Sequence, residues 1–332
     1  LNVIEIKGRK RLTVTVLGCG VSGLTCGIRL LELNFRVKII AYSIPPNTTS
    51  DIAAAYWSPF RVYPEGKVLQ WGKHAFNVFM KLSKIDGTGV SRTKLMELFD
   101  HEVVDVWWEK AVSNFRRASK EEMPPGFEDT HLVEIPLIET PIYMKYLVKR
   151  FKDLGGRIQK LDKKISSIEE LYIDNVLIIN CSGLGAHEIC GDNGVYPIRG
   201  QIVRTTNPGI NRCYHYESSK NDLTYIVPRS NDCILGGTTE ENVWNNRVDQ
   251  NTAKAIITRC QKLGPKLRGS EVLEHKVGLR PGRKEVRLEL EKISNNCAVI
   301  HNYGHGGAGF TLSWGCSEEV VDLAESFSNV AI

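Results

Sequence analysis

The feature that most constrains this chain is a glycine turn set between a strand and a helix. Leu12-Thr13-Val14-Thr15-Val16-Leu17 is a short β-branched run, the pattern of a buried strand. Gly18-Cys19-Gly20-Val21-Ser22-Gly23 follows at once, and Leu24, Ile28 and Leu31 then recur at helical spacing as far as about Asn34. A second strand, Arg36-Val37-Lys38-Ile39-Ile40-Ala41, closes a βαβ unit. In that setting each glycine of GxGxxG has a purpose. The first makes a tight turn, the second admits a pyrophosphate close to the backbone, and the third lets the helix pack on the strand. The helix start offers free N–H groups and a positive dipole end to phosphates. The unit therefore implies a dinucleotide site in an α/β domain.

The rest of the chain must accommodate that unit. Its 332 residues leave room for two domains at about 100–200 residues each. With 42% hydrophobic and 24% charged residues, a disordered chain, a collagen-like chain and a disulfide scaffold are excluded. The balance of 43 basic against 38 acidic residues, +5, is too weak and dispersed to argue for a nucleic-acid partner. The densest basic run, Lys7-Gly8-Arg9-Lys10-Arg11, reads as a solvated tail. No segment approaches the ~18 uninterrupted apolar residues of a membrane span, so no membrane partner is expected. Leu1-Asn2-Val3-Ile4-Glu5-Ile6 is too short and polar for a signal-peptide core. Nine cysteines, an odd number with no CxxC and mostly in apolar stretches, read as reduced thiols. The sequon Asn47-Thr48-Thr49 is then expected to stay unglycosylated.

Further along, Asn47-Thr48-Thr49-Ser50-Asp51 precedes Ile52-Ala53-Ala54-Ala55-Tyr56-Trp57-Ser58-Pro59. Hydroxyls ahead of an alanine run suit a short capped helix whose small side chains let a ligand lie close; a plain capped helix is the other reading. Leu69 to Leu82 reads as a helix, and Asp100 to Phe115 as strands or a helix around Trp107-Trp108. An amphipathic helix from Pro141 to Leu154 stops at Gly155-Gly156. The strand Asn175-Val176-Leu177-Ile178-Ile179-Asn180 runs into Cys181-Ser182-Gly183-Leu184-Gly185-Ala186, a second strand-to-glycine turn. Beyond Val195 the pattern turns to strands (224–227, 233–235), broken by a helix at 253–263. A strand at 298–301, a glycine loop and a last helix to about Ser326 finish the chain. Ligand-binding pieces thus lie at 12–59, 174–186 and 299–315. A site assembled from the start, middle and end implies two interleaved domains. The expected fold is α/β, a Rossmann-like domain (1–61, 140–196 and 276–332) interleaved with a strand-rich α+β substrate domain (62–139 and 197–275).

Four stretches resemble the D-amino acid oxidase family, which includes D-aspartate oxidase. They are Gly18–Gly23 with Thr48–Pro59, Asn180–Gly185, Val277-Gly278-Leu279-Arg280-Pro281, and His301-Asn302-Tyr303-Gly304-His305-Gly306-Gly307-Ala308-Gly309. Their order and spacing match over nearly the whole chain, and the last two are the specific ones. The resemblance implies tightly held FAD, contacted by Gly18, Gly20, Val21, Ser22 and Gly23, by Tyr42, Ser43, Thr48, Thr49, Ser50 and Ala55, and by Ile165, Ser182 and Gly183. At the chain's end it implies Gly306, Gly307, Ala308, Gly309, Phe310 and Thr311. Arg280 matches the residue that holds the substrate carboxylate, and a guanidinium grips a carboxylate through two parallel bonds. Tyr225 matches the tyrosine that adds a hydroxyl to that carboxylate, and Gly307 the glycine whose carbonyl accepts from the amine. The family transfers the α-hydrogen as hydride to flavin N5 from a neutral amine. Protein groups orient, and no acid–base residue is required. The partners implied are a small D-amino acid and molecular oxygen; a homodimer is allowed. His301 and His305 flank a glycine-broken loop rather than a ligand-presenting helix, so no metal is expected.

Three departures stand out. Tyr42-Ser43 replaces the acidic residue usual after the second strand. Asn221 replaces a second active-site tyrosine four residues before Tyr225, and Tyr56 and Ser58 replace a leucine and a glutamine near flavin and substrate. Ser218 and Thr239 stand where D-aspartate oxidases carry cations, although Lys220 or Arg229 could reach an acidic side chain. Neutral or broad-range D-amino acids are the expected substrates, D-aspartate oxidase the alternative, and an NAD(P)-dependent dehydrogenase or a non-catalytic flavin protein more distant readings. The resemblance implies a peroxisome; Ser328-Asn329-Val330-Ala331-Ile332 lacks a Ser-Lys-Leu address, which leaves the cytoplasm as the other expectation.

Overall fold

In the computed structural model, residues 13–59, 62–104, 106–172, 177–218 and 223–330 are described. The chain opens with β1 (Thr13–Leu17), α1 (Val21–Glu32) and β2 (Arg36–Ala41), the expected βαβ unit. Next come α2 (Glu65–Leu82), β3 (Val90–Phe99), β4 (Arg116–Arg117), β5 (Asp129–Ile138) and α3 (Thr140–Asp153). β6 (Arg157–Lys160), β7 (Leu177–Asn180) and the single turn α4 (Ala186–Ile189) lead into the strand-rich part. That part holds β8 (Tyr196–Thr205), β9 (Cys213–Glu217), β10 (Leu223–Pro228), β11 (Cys233–Gly236) and β12 (Glu240–Glu241). After it come α5 (Gln250–Leu263), β13 (Val272–Gly282), β14 (Arg287–Lys292), β15 (Ala298–Tyr303) and α6 (Gly309–Val330).

Two sheets organise these elements. One has six strands in the order β14-β15-β7-β1-β2-β6, parallel except for β14. Its central strands are buried along nearly their whole length, as a parallel sheet covered on both faces requires. Val14, Val16, Ile39, Ile179 and Ile300 share one core with Leu24 and Ile28 of α1, Phe151 of α3 and Trp314 of α6. The other sheet runs β12-β8-β11-β10-β9-β3-β5-β4, with β13 along the outer side of β8. It is antiparallel apart from the β3–β9 pair. Helix α2 belongs by sequence to the second sheet but packs against α6, and so ties the two layers together.

Three expectations change. The alanines at 53–55 are not helical: a 3-10 turn spans Thr49–Ile52, and Ala55 then exchanges backbone hydrogen bonds with Ile138 in both directions. That two-way pairing outweighs alanine's helical preference. The stretch around Trp107-Trp108 forms neither strand nor α-helix, only a 3-10 turn at Glu109–Ala111. The Val277–Pro281 stretch, grouped by sequence with the first domain, runs in the second sheet, because β13 pairs with β8 along its length.

Candidate active site

A cleft of about 480 Å³ runs between the two sheets, within the ~300–1,000 Å³ range of ligand sites. Its first wall is the turn after β1. Gly18 has φ +109°, and a Cβ there would lie 2.4 Å from the Cys181 carbonyl oxygen. A Cβ on Gly23 would lie 2.0 Å from the Gly18 oxygen. Only glycine allows these contacts, and they draw the turns after β1 and β7 together at the cleft floor. Gly20 faces outward, with only Ser50 Oγ near its absent Cβ. Helix α1 starts there without a side-chain cap, and its first N–H, on Val21, donates to Ser50 Oγ at 3.0 Å. Thr48 donates through both its N–H and its hydroxyl to Asp51 Oδ2 (2.9 and 2.6 Å), which fixes the 48–51 turn over that helix end.

Tyr42, Ser43, Ile165 and Lys164 line the far end of the cleft, where Lys164 Nζ lies 6.0 Å from the centre of the Tyr42 ring. Thr48, Thr49, Ser50, Ser182 and Gly183 line its middle. Ser182 Oγ is buried there with no partner among the described residues. Gly306, Gly307, Gly309 and Phe310 bring the start of α6 to the same wall. Side-chain-free backbone, two helix N-termini and an unsatisfied hydroxyl along one elongated cleft fit a dinucleotide.

At the other end Tyr225 and Arg280 face the cleft. Both lie where they do because of glycines on neighbouring strands. Gly236, directly opposite Tyr225, would place a Cβ 1.9 Å from the ring. A Cβ on Gly200 would lie 2.4 Å from Arg280 Nη1. A strand glycine marks a close approach, and these two make room for the ring and the guanidinium. Arg280 Nη1 donates to the Thr238 carbonyl at 3.0 Å, and the guanidinium lies near enough to Tyr225 to act on its hydroxyl electrostatically. Burial raises the Tyr225 pKa, and Arg280 opposes that shift. Among the described residues no carboxylate pairs with Arg280.

Six of the expected residues stand behind the cleft surface. Gly23 lies under the turn, and Ala55 is committed to its pairing with Ile138. Ser58 and Thr311 bond each other twice, Ser58 N to Thr311 Oγ1 at 3.0 Å and Thr311 Oγ1 to Ser58 O at 2.8 Å. Ala308 is buried and its N–H donates to His305 O. Tyr56 bonds His215 Nδ1 at 2.6 Å and meets the Tyr225 ring edge-on, centres 6.5 Å apart. Asn221 and Lys220 lie outside the described residues. Arg229 is corrected: it is buried against Asp232 (2.6 and 2.7 Å) and the Ala54 carbonyl, with nothing left to reach a ligand. His305 lines the cleft, bonded to Asn302 Oδ1 at 2.9 Å, and burial lowers its pKa to about 4. His301 instead bonds Asn180 and Glu291. All nine cysteines are free. Sequence reasoning missed Gly200, Gly236 and Lys164. The glycines were visible inside strands, but their use depends on a cross-strand partner that only register supplies.

The sequence profile of a family described as FAD dependent oxidoreductase matches residues 13–323. A D-amino-acid oxidase from Rubrobacter xylanophilus is 47% identical over 320 residues, covering 96% of this chain and 98% of the relative. A D-aspartate oxidase from Homo sapiens is 32% identical, covering 93% and 94%. Among solved structures, a glycine oxidase from Geobacillus kaustophilus superposes with a TM-score of 0.78 at 19% identity, covering 96% and 95%.

Gly20→Val should abolish FAD binding while leaving far-ultraviolet circular dichroism unchanged, because a branched side chain would occupy the space beside Ser50 that the pyrophosphate needs. Visible absorbance of the desalted protein measures it; a fully yellow variant would remove this turn from the site.

Proposed function

Because the chain belongs to the family of FAD dependent oxidoreductases, we propose that it deaminates neutral or broad-range D-amino acids oxidatively, giving 2-oxo acids, ammonia and hydrogen peroxide. The observation that carries this reading is Arg280, a part-buried guanidinium lining the cleft beside a tyrosine hydroxyl, with no carboxylate partner among the described residues. Partial burial of a cation without an anion carries a cost that a ligand's opposite charge offsets. The 47%-identical relative's name supports the same chemistry.

FAD, when bound, supplies the two-electron acceptor and reaction with oxygen. The turn 18–23, residues 48–50, Ser182-Gly183 and the start of α6 would hold it. The chain's own residues do the orienting. Arg280 and Tyr225 would fix the substrate carboxylate, and the Gly307 carbonyl would accept from the amine. Three fixed points on one α-carbon select its hand, so L-enantiomers would present the wrong substituent to the acceptor. The positive end of α6 favours negative charge that develops at the cleft wall.

Arg280→Ala should keep FAD but lower kcat/KM for D-alanine at least ~100-fold, since each hydrogen bond to a charged group contributes about 1.5–3 kcal/mol. Gly200→Ala should reproduce much of that loss with the guanidinium still present, because its Cβ collides with Arg280. Steady-state peroxide release reads both. An Arg280→Ala protein with unchanged apparent affinity would show that the carboxylate is held elsewhere.

The second carboxylate of D-aspartate would find no cation at Ser218 or Thr239, and Arg229 is already paired with Asp232. A panel scored by peroxide release should therefore rank D-alanine or a larger neutral D-amino acid ~100-fold or more above D-aspartate. If D-aspartate and D-glutamate instead outrun every neutral substrate, the enzyme is a D-aspartate oxidase.

A further inference from the structure

Tyr225 reaches the cleft with side-chain support on one flank only. Its neighbour across β11 is Gly236, which offers no side chain, and a Cβ on the following Gly237 would lie 2.9 Å from the ring. Its neighbour across β9 is His215. Residues directly opposite in a sheet project from the same face with Cβ atoms ~5 Å apart, so the His215 ring stands beside Tyr225. A third ring closes the group. Tyr56 meets His215 edge-on with centres 6.2 Å apart and Tyr225 edge-on at 6.5 Å, both inside the ~4.5–7 Å range of interacting aromatic pairs. The Tyr56 hydroxyl and His215 Nδ1 share a hydrogen bond of 2.6 Å.

Tyr56 is itself fixed in place. Its backbone bridges to Leu137 of β5, Ala55 pairs in both directions with Ile138, and Trp57 N donates to the Pro136 carbonyl at 3.1 Å. The Trp57 indole is buried and donates to the Gly72 carbonyl at 3.0 Å. Residues 55–57 thus form a post anchored on the last residues of β5. Burial holds the Tyr56 pKa well above the ordinary tyrosine value, so its hydroxyl keeps its proton. Tyr56 does not line the cleft; its route to a ligand is through Tyr225, which does.

We propose that Tyr56 is a positioning residue for substrate binding: pinned by His215, it braces the Tyr225 ring so that the hydroxyl meets the same carboxylate as Arg280. The proposal takes its substrate from the oxidase reading, but any carboxylate entering between Arg280 and Tyr225 would feel the brace. The argument is one of ordering. A ring free to rock must be immobilised when the ligand arrives, whereas a ring already held loses no further freedom. The carboxylate does not react and is gripped alike before and during the chemical step, so the brace acts on affinity more than on turnover. A leucine in place of Tyr56 could fill the space but could not bond His215.

The test titrates the FAD-loaded protein with propanoate, which carries the carboxylate without the amine, and reads binding from the visible flavin spectrum. Steady-state peroxide release with D-alanine runs alongside. In Tyr56→Phe the propanoate Kd and the D-alanine KM should rise together about threefold to tenfold, with kcat changed less than about twofold. Tyr225→Phe should weaken both ligands on its own. The double variant should then match Tyr225→Phe within about twofold, because the brace has no hydroxyl left to aim. Losses that multiply in the double variant would mark a structural effect independent of Tyr225 and overturn the proposal. So would a Tyr56→Phe protein that binds propanoate as well as the parent does, or a Tyr225→Phe protein that loses nothing. His215→Phe removes the same bond from its other end. Should Tyr56→Phe not fold, His215→Phe must give the same non-additive pattern or the proposal fails. A parent protein that D-alanine never bleaches under nitrogen sinks the oxidase reading instead, and the propanoate titration still decides the brace.

Discussion

The whole site depends on how closely two backbone turns can approach. A Cβ on Gly18 would lie 2.4 Å from the Cys181 carbonyl, so the turn after β1 and the turn after β7 touch only because that position carries hydrogen. This contact aligns residues more than 160 positions apart and sets the cleft floor. The third contributor, the start of α6, reaches the same wall because β15 lies next to β7 in the parallel sheet. Three crossovers of one sheet thus aim three turns at the same place, as expected where ligands bind at the carboxyl ends of parallel strands.

The same rule recurs at the second sheet with a different outcome. There glycine makes room for side chains rather than for a ligand. Gly200 lies inside β8 and Gly236 ends β11, normally a weakness in a strand, yet each vacates the volume that Arg280 or Tyr225 occupies. The guanidinium and the hydroxyl are therefore held by what is missing from the strands beneath them. A one-residue slip in register would put a side chain under each.

This contrast explains what the sequence could reveal. The βαβ unit, the second glycine turn and the last helix are local patterns, legible because each glycine acts on chain neighbours or a helix start. The alanine run misled because its two-way pairing with Ile138 lies more than 80 residues away and overrides a weak local preference.

Three arginines of the second sheet show how charge is handled. Arg229 is buried and paired with Asp232; Arg199, also buried, pairs with Glu240 and bonds two backbone carbonyls. Arg280 has a backbone carbonyl for a partner and Tyr225 beside it, but no carboxylate among the described residues. The sheet thus neutralises the cations that brace it and leaves unneutralised the one that faces the cleft. The desolvation cost of Arg280 is carried by the rest of the fold in the free protein. A bound carboxylate recovers it, so ligand affinity and the stability of the second sheet are linked through one guanidinium. Replacing Arg280 with a neutral residue should relieve that cost even as it removes the grip, so binding and stability are expected to respond in opposite directions at this one position.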